Sequence, residues 1–447
     1  MSGYTSLGKG EKEALLSAIG VSSFEELLSA IPSDLREKKG LSLPDGLSEY
    51  ETFRTLRNLS EKNVGSDHWN TFLGAGIYNH YVPAAVSEIV SRSEFLTAYT
   101  PYQAEVSQGT LQSIYEYQSM ICELTGMEVS NASLYDGATA LVEAMRMSRA
   151  LYKGNGRCFL IPASLHPHYK EVLRTSAHCL KIDLVEIPTD QTGGVDIRSL
   201  AALLNEHTFG VALCSPNFFG VVEDVTAVAA LKTKHPFLLT VVPNLLSLAL
   251  LEAPGKQGAD ICCGEAHYLA SGPAFGGPLL GFFSTFRRNI RQMPGRIVGK
   301  TVDKEGKRAF VLTAQTREQH IRREKATSNI CSNEGLLALC ATITLSLLGK
   351  EGLCDMAKLN VDKAQYARQA LRAKKNVRLP FSGPCFNEFT VELKDGGLDA
   401  LFAKAAEQKV LPGVRLDRMN PAWANRVLIC ITDKKTKADI DQLIALF

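Results

Sequence analysis

The chain has 447 residues, 45% of them hydrophobic, and a formal net charge of +2. That supports one large core and a smaller one, with no basic excess for nucleic acid or an anionic membrane surface. No run of roughly 18 consecutive apolar residues offers a membrane span, and the opening MSGYTSLGKGEKEALL lacks the basic-then-apolar layout of a secretory signal. A cytoplasmic protein is therefore expected. The eleven cysteines fall in apolar segments, as at Cys158, Cys214, Cys262, Cys340 and Cys430, with no CxxC pair. They read as free thiols in a reducing compartment, and the adjacent Cys262-Cys263 pair as core strand.

Residues 1–70 read as a helical segment without strands. Ser22-Ser23 followed by Glu25-Glu26 is an N-cap pattern opening a helix over 24–31, which Pro32 ends, and 48–62 is a second polar, periodic segment. A glycine- and aromatic-rich loop (71–83) leads to a helix from Ala84. After the loop 97–109, Leu111, Ile114, Tyr117, Ile121 and Leu124 step by three and four along a helix that Ser107 or Thr110 caps and Gly126 closes. From 131 to 283 short apolar runs alternate with helices. The expected strands are 158–162, 184–187, 210–215, 237–242, 260–264 and 279–283. Such alternation predicts a mostly parallel sheet covered on both faces, with ligands beyond the carboxyl ends of its strands. Residues 284–330 are basic and polar, including Arg287, Arg288, Arg291, Arg296, Arg308, Arg317 and Arg322. A helix over 334–348 follows, then a smaller α/β unit from about Val377. The implied organisation is a helical segment (1–70), a large α/β domain (71–330) and a C-terminal helical and small α/β domain (331–447).

Three stretches carry chemistry. In Tyr135–Thr139 a polar turn opens a small-residue helix. Its free N–H groups and dipole favour an anion, although an ordinary capped helix has the same pattern. Tyr99–Gly109 concentrates Tyr99, Tyr102, Gln103, Glu105 and Gln108, groups suited to a small zwitterion or, alternatively, to a solvated proline-kinked loop. In 258–283 a strand, a loop and a return strand hold no lysine; the nearest are Lys256 and Lys300, and the loop reads His267-Tyr268. His166-x-His168 has no partners that would make it a zinc half-site or a triad, and no metal site is expected.

The ordered set TFLGAGIYNHYVPAAV, TAYTPYQAEVSQGTLQSIYEYQSMICELTGMEVSNASLYDGATALVEAM, GGPLLGFF, RQMPGRIVGKTVD and RAFVLTAQTREQHIRREKATSNIC resembles the P-protein family of the glycine cleavage system, glycine dehydrogenase (decarboxylating). Within it, the chain is similar to subunit 1 of the two-subunit bacterial form, from about residue 4 to the C-terminus. The resemblance implies a pyridoxal-phosphate-dependent transferase fold of the aspartate-aminotransferase type (fold type I). It implies that Tyr268 stands in place of the Schiff-base lysine, and that Gly137, Ala138 and Thr139 form a vestigial phosphate turn. Pyridoxal phosphate would be held covalently by subunit 2. The implied partners are that subunit in an α2β2 assembly, the lipoylated H-protein, and indirectly the aminomethyltransferase T-protein, with glycine as substrate. Val242-Pro243-Asn244 departs from the family's Asp-Pro after the fifth strand. Tyr99, Tyr102, Gln103, Asn79 and Glu105 would be lent to the partner's site, with Arg317 and Arg322 at its mouth. Two alternatives stay open: a stand-alone pyridoxal-phosphate enzyme using a lysine such as Lys300, and a purely structural subunit.

Overall fold

Alternation of side chains along apolar strands builds the centre of the molecule. In the computed structural model, which describes residues 8–37, 40, 42–66 and 68–447, seven strands form one sheet. They are β1 (Val129–Ser130), β2 (Cys158–Pro162), β3 (Asp183–Ile187), β4 (Thr208–Ser215), β5 (Leu238–Pro243), β6 (Ile261–Glu265) and β7 (Gly281–Thr285), in the order β1-β7-β6-β5-β4-β2-β3. The pairs from β3 through β6 are parallel, and β7 pairs antiparallel with both β6 and β1. Leu160, Leu213, Val241, Cys262 and Phe282 enter one core, while Phe159, Ala212, Val242, Cys263 and Phe283 enter the other. Period-two alternation thus feeds both faces. Cys262 and Cys263 point to opposite sides as buried thiols.

Helix α1 (Gln108–Thr125) buries Leu111, Ile114, Tyr117 and Ile121, the stripe predicted from their spacing, and ends at Gly126 in the left-handed region (φ 70°). Helix α2 (Gly137–Leu151) covers the opposite face of the sheet. Helix α3 (Gly335–Arg372) packs on α1 and is interrupted at Gly349 (φ 59°), one residue past the expected end at 348. An 18-residue window of α3 is apolar enough to cross a bilayer, but half of that window is packed inside the protein. A hairpin of β8 (Ile297–Val302) and β9 (Arg308–Thr313) precedes α3. The C-terminal region carries the sheet β10 (Val377–Arg378), β11 (Glu388–Leu393), β12 (Val414–Arg415) and β13 (Arg426–Cys430), ordered β10-β11-β13-β12.

The last strand of the large sheet begins later than the sequence suggested, at Gly281 and not Leu279. The N–H of Leu280 is taken by the Glu265 carboxylate (2.7 Å), so regular pairing starts one residue on, where Gly281 faces Glu265.

The chain divides into two compact units, 1–65 and 66–447. In the first, Ser23 caps the short helix Phe24–Leu27, which tightens into a 3-10 turn over Leu28–Ala30. Ser48 and Glu51 form a capping box on the helix Glu49–Ser60. Tyr50, Phe53, Leu56 and Leu59 of that helix are exposed. The opening residues 1–7, read above for a targeting signal, lie outside the described residues.

Candidate functional site

Parallel strands bring their following loops to one edge of a sheet, and there a cavity of about 250 Å³ opens. It is walled by His166 and Tyr169 after β2, Cys214 and Asn217 at β4, Pro243 and Asn244 at β5, and Glu265 and Tyr268 at β6. Asp136, Gly137 and Ala138 at the start of α2, the segment Ala75–Tyr78, and Glu388 of β11 complete it. Its acidic groups are Asp136, Glu265 and Glu388, and among the described residues no lysine or arginine lines it.

Tyr268 is buried, and its hydroxyl accepts the Leu245 N–H at 2.7 Å. Its ring stands edge-on to Tyr78 (5.5 Å) and His80 (5.7 Å). Burial pushes its phenol far above the ordinary range, so it stays neutral. Glu265 is held by the N–H groups of Gly137 (3.0 Å to Oε2), Ala266 (3.2 Å), His267 (3.0 Å) and Leu280 (2.7 Å), the last three on Oε1. Burial pushes this carboxyl up, but the His267 contact and the backbone donors outweigh burial and hold it below its usual value. A Cβ on Gly137 would lie 2.0 Å from the Tyr169 hydroxyl and 2.9 Å from the Glu265 N, so only glycine fits. Asp136 caps the same helix through the Thr139 N–H (2.8 Å).

Glu388 accepts the Tyr78 hydroxyl (2.6 Å) and the Ala75 N–H (2.7 Å). Burial raises it to about 7. His166 donates from Nε2 to the Ala75 carbonyl (2.9 Å) and accepts the His168 N–H at Nδ1 (3.1 Å); burial lowers it to about 4, so it is neutral at pH 7. Asn244 Oδ1 accepts the N–H groups of Leu246 (3.0 Å) and Ser247 (3.2 Å).

These residues do not fit pyridoxal phosphate. A covalent anchor is missing, because Tyr268 is a hydrogen-bonded plug. The helix N-terminus that would take a phosphate already holds a carboxylate. The part of the wall at the end of β5, Val242, Pro243 and Asn244, offers no carboxylate for a pyridine nitrogen. Lys300 is exposed on β8 and Lys256 is exposed as well, and neither lines the cavity, so the stand-alone enzyme reading is not favoured.

The other predicted residues lie apart from this cavity. Tyr99 lines a second hollow of about 120 Å³ with Thr100, Pro101, Ser332 and Asn333. Tyr99 is 85% and Tyr102 57% exposed. The Tyr102 hydroxyl accepts from Arg296 Nη2 (3.2 Å), and the guanidinium lies 5.5 Å from the ring centre. Gln103 and Glu105 are exposed. Asn79 accepts from Lys434 Nζ (3.0 Å), and its carbonyl accepts from Thr432 (2.9 Å). Gln108 is committed to both backbone groups of Phe310 (2.8 and 2.9 Å). Arg317 is no mouth residue: it is buried and donates to the carbonyls of Met293, Gly295 and Ala314. Glu265, Glu388, Tyr78 and Tyr169 were not among the predicted site residues; of these only Tyr78 falls in the glycine- and aromatic-rich loop 71–83, while the others sit in strands or a helix.

Comparison with known proteins agrees with this geometry. The family described as glycine cleavage system P-protein matches residues 3–447. A relative from Carboxydothermus hydrogenoformans, named probable glycine dehydrogenase (decarboxylating) subunit 1, is 47% identical over 441 residues, covering 99% of this chain and 98% of the relative. One of the same name from Brevibacillus brevis is 46% identical over 435 residues, covering 97% and 96%. Among solved structures, glycine decarboxylase (P-protein) of the glycine cleavage system in inhibitor-bound form superposes with a TM-score of 0.88 at 36% identity, over 99% of this chain and 98% of that one. A C-DES mutant with glycine covalently linked to the PLP cofactor has a TM-score of 0.61 at 14% identity, over 86% of this chain and 98% of that one. That likeness is one of fold: the architecture is that of fold type I pyridoxal-phosphate enzymes.

Proposed function

The chain belongs to the glycine cleavage system P-protein family, and from that membership we propose that it is the lysine-less subunit 1 of a two-subunit glycine dehydrogenase (decarboxylating). The observation that carries this reading is the cavity with no lysine, closed by Tyr268 and Glu265. A chain with this fold and without an anchor needs a second, lysine-bearing subunit to hold pyridoxal phosphate. That cofactor supplies the electron sink that decarboxylation of an amino acid requires. The complex releases the glycine carboxylate as carbon dioxide and passes the aminomethyl group to the lipoyl arm of the H-protein, with the T-protein acting downstream. Free thiols throughout the described residues suit a reducing cytoplasm.

This chain's contribution is the exposed face of the Tyr99–Glu105 loop. Tyr99 and Tyr102 expose large aromatic surface, as expected of side chains that a partner covers. Tyr102 and Gln103 line the partner's pocket with Tyr99, and Asn79 and Glu105 support them. Pro101 stiffens the loop, and Arg296 beneath Tyr102 orients its hydroxyl. The exposed Tyr50, Phe53, Leu56 and Leu59 dock on the second subunit in an α2β2 assembly. The test is co-purification with subunit 2 followed by glycine–bicarbonate exchange. Tyr102→Phe keeps the ring and removes one hydrogen-bonding group. It is expected to lower exchange about tenfold, or ~1.4 kcal/mol, with assembly and cofactor content unchanged. A wild-type rate in an assembled, loaded complex would leave the chain a purely structural role.

A further inference from the structure

The cavity holds an anion site that the chain fills with its own side chain. Four N–H groups from three separate segments converge on Glu265: Gly137 opening α2, Ala266 and His267 after β6, and Leu280 before β7, all within 3.2 Å of a carboxylate oxygen. Helix α2 is 15 residues long, and its axial dipole adds positive potential at this end. A second observation stands apart from the helix. His267 is 1% exposed, and its Nδ1 is aimed at Glu265 Oε1 from 3.1 Å. Neither ring nitrogen makes a hydrogen bond of ordinary geometry. Backbone donors, a helix start and a buried imidazole facing one point are what a multi-oxygen anion needs.

We propose that Glu265 is a built-in counter-anion that occupies this cradle and shuts phosphate-bearing molecules, pyridoxal phosphate included, out of this chain's own cavity. Closure is then twofold. Tyr268 removes the covalent anchor, and Glu265 removes the phosphate seat independently of it. Asp136, at the same helix end, adds a second negative charge against an incoming anion. The inference concerns this chain alone and does not depend on which partner it joins or what the complex turns over.

The test is anion binding by the purified full-length chain, with inorganic phosphate and pyridoxal phosphate as probes. Titration calorimetry and phosphate-dependent melting are the readouts. Wild type is expected to bind neither probe at ~1 mM. Glu265→Ala frees the four N–H groups and should bind inorganic phosphate at least about tenfold more tightly than wild type, with a melting temperature raised by phosphate and not by chloride. A folded Glu265→Ala chain with no gain over wild type would overturn the proposal, as would a wild-type chain that binds either probe equally well. If Glu265→Ala folds only in phosphate buffer, that rescue supports the same conclusion. If it folds in neither buffer, Glu265→Ser decides, since it vacates the seat and removes the charge while keeping a small hydrogen-bonding group. Its melting temperature should respond to phosphate more than that of wild type, and an equal response counts against the cradle.

Discussion

Glu388 makes the chain's stability depend on pH in a direction opposite to that of a salt-bridged carboxylate. The side chain is 5% exposed. Its two hydrogen bonds, from Tyr78 and Ala75, do not offset the loss of water around a charge, and burial raises it from its ordinary 4.5 to about 7. Between those values the native state keeps a proton that the unfolded chain has released. Stability therefore falls as pH rises through this window, by about 1.4 kcal/mol per unit, or roughly 3 kcal/mol in all. Glu388→Gln removes the titration and keeps the contacts: its carbonyl accepts the Ala75 N–H, and its amide donates to the Tyr78 oxygen. Urea unfolding of wild type and variant at pH 5, 6, 7 and 8 (about one unit apart, to span the window) measures the difference. The two should converge toward the acid end, and the variant should gain on wild type up to neutrality. Glu223, also raised to about 7 by burial, remains in both chains and cancels. Parallel stability curves, or a variant that is the weaker at pH 8, would refute the reasoning.

Two further substitutions probe the same region. Tyr268→Phe leaves the buried Leu245 N–H without its acceptor and should cost about 1–3 kcal/mol, read from the urea midpoint, with glycine–bicarbonate exchange by the complex unchanged. Gly74→Ala would place a Cβ 2.2 Å from Glu388 Oε1 and 2.6 Å from the Cys430 Cβ; the overlap should cost about 1–3 kcal/mol, read as a lowered melting temperature.

The sheet was legible because its strands are short apolar runs between helices, and period two sends neighbours such as Phe282 and Phe283 into different cores. Helix α1 was legible from one stripe of apolar residues. The cavity's chemistry was not, because its groups come from distant segments. Nothing local to Glu388 says that Tyr78 will donate to it, and nothing local to Glu265 says that the start of α2 will. Polar residues also misled. Gln108 looked suited to a small ligand, yet it pairs with the Phe310 backbone. Arg317 looked like a surface cation, yet it is buried and satisfies three backbone carbonyls. A side chain's type gives its hydrogen-bonding capacity; only the fold decides whether backbone or ligand uses it.

The groups that stand in the way of pyridoxal phosphate each have structural work of their own. Tyr268 satisfies Leu245, Glu265 satisfies four backbone donors, and Asn244 caps the turn at Leu246 and Ser247. Replacing Tyr268 by lysine or removing the Glu265 carboxylate would strand backbone N–H groups, at about 1–3 kcal/mol for each buried group left unpaired, whereas aspartate at 244 would keep an acceptor for Leu246 and Ser247. A lysine introduced at position 268 alone would also face an anion seat that remains filled by Glu265. The polar side chains of the cavity are thus committed to internal hydrogen bonds. Those bonds stabilise the fold around the cavity from within.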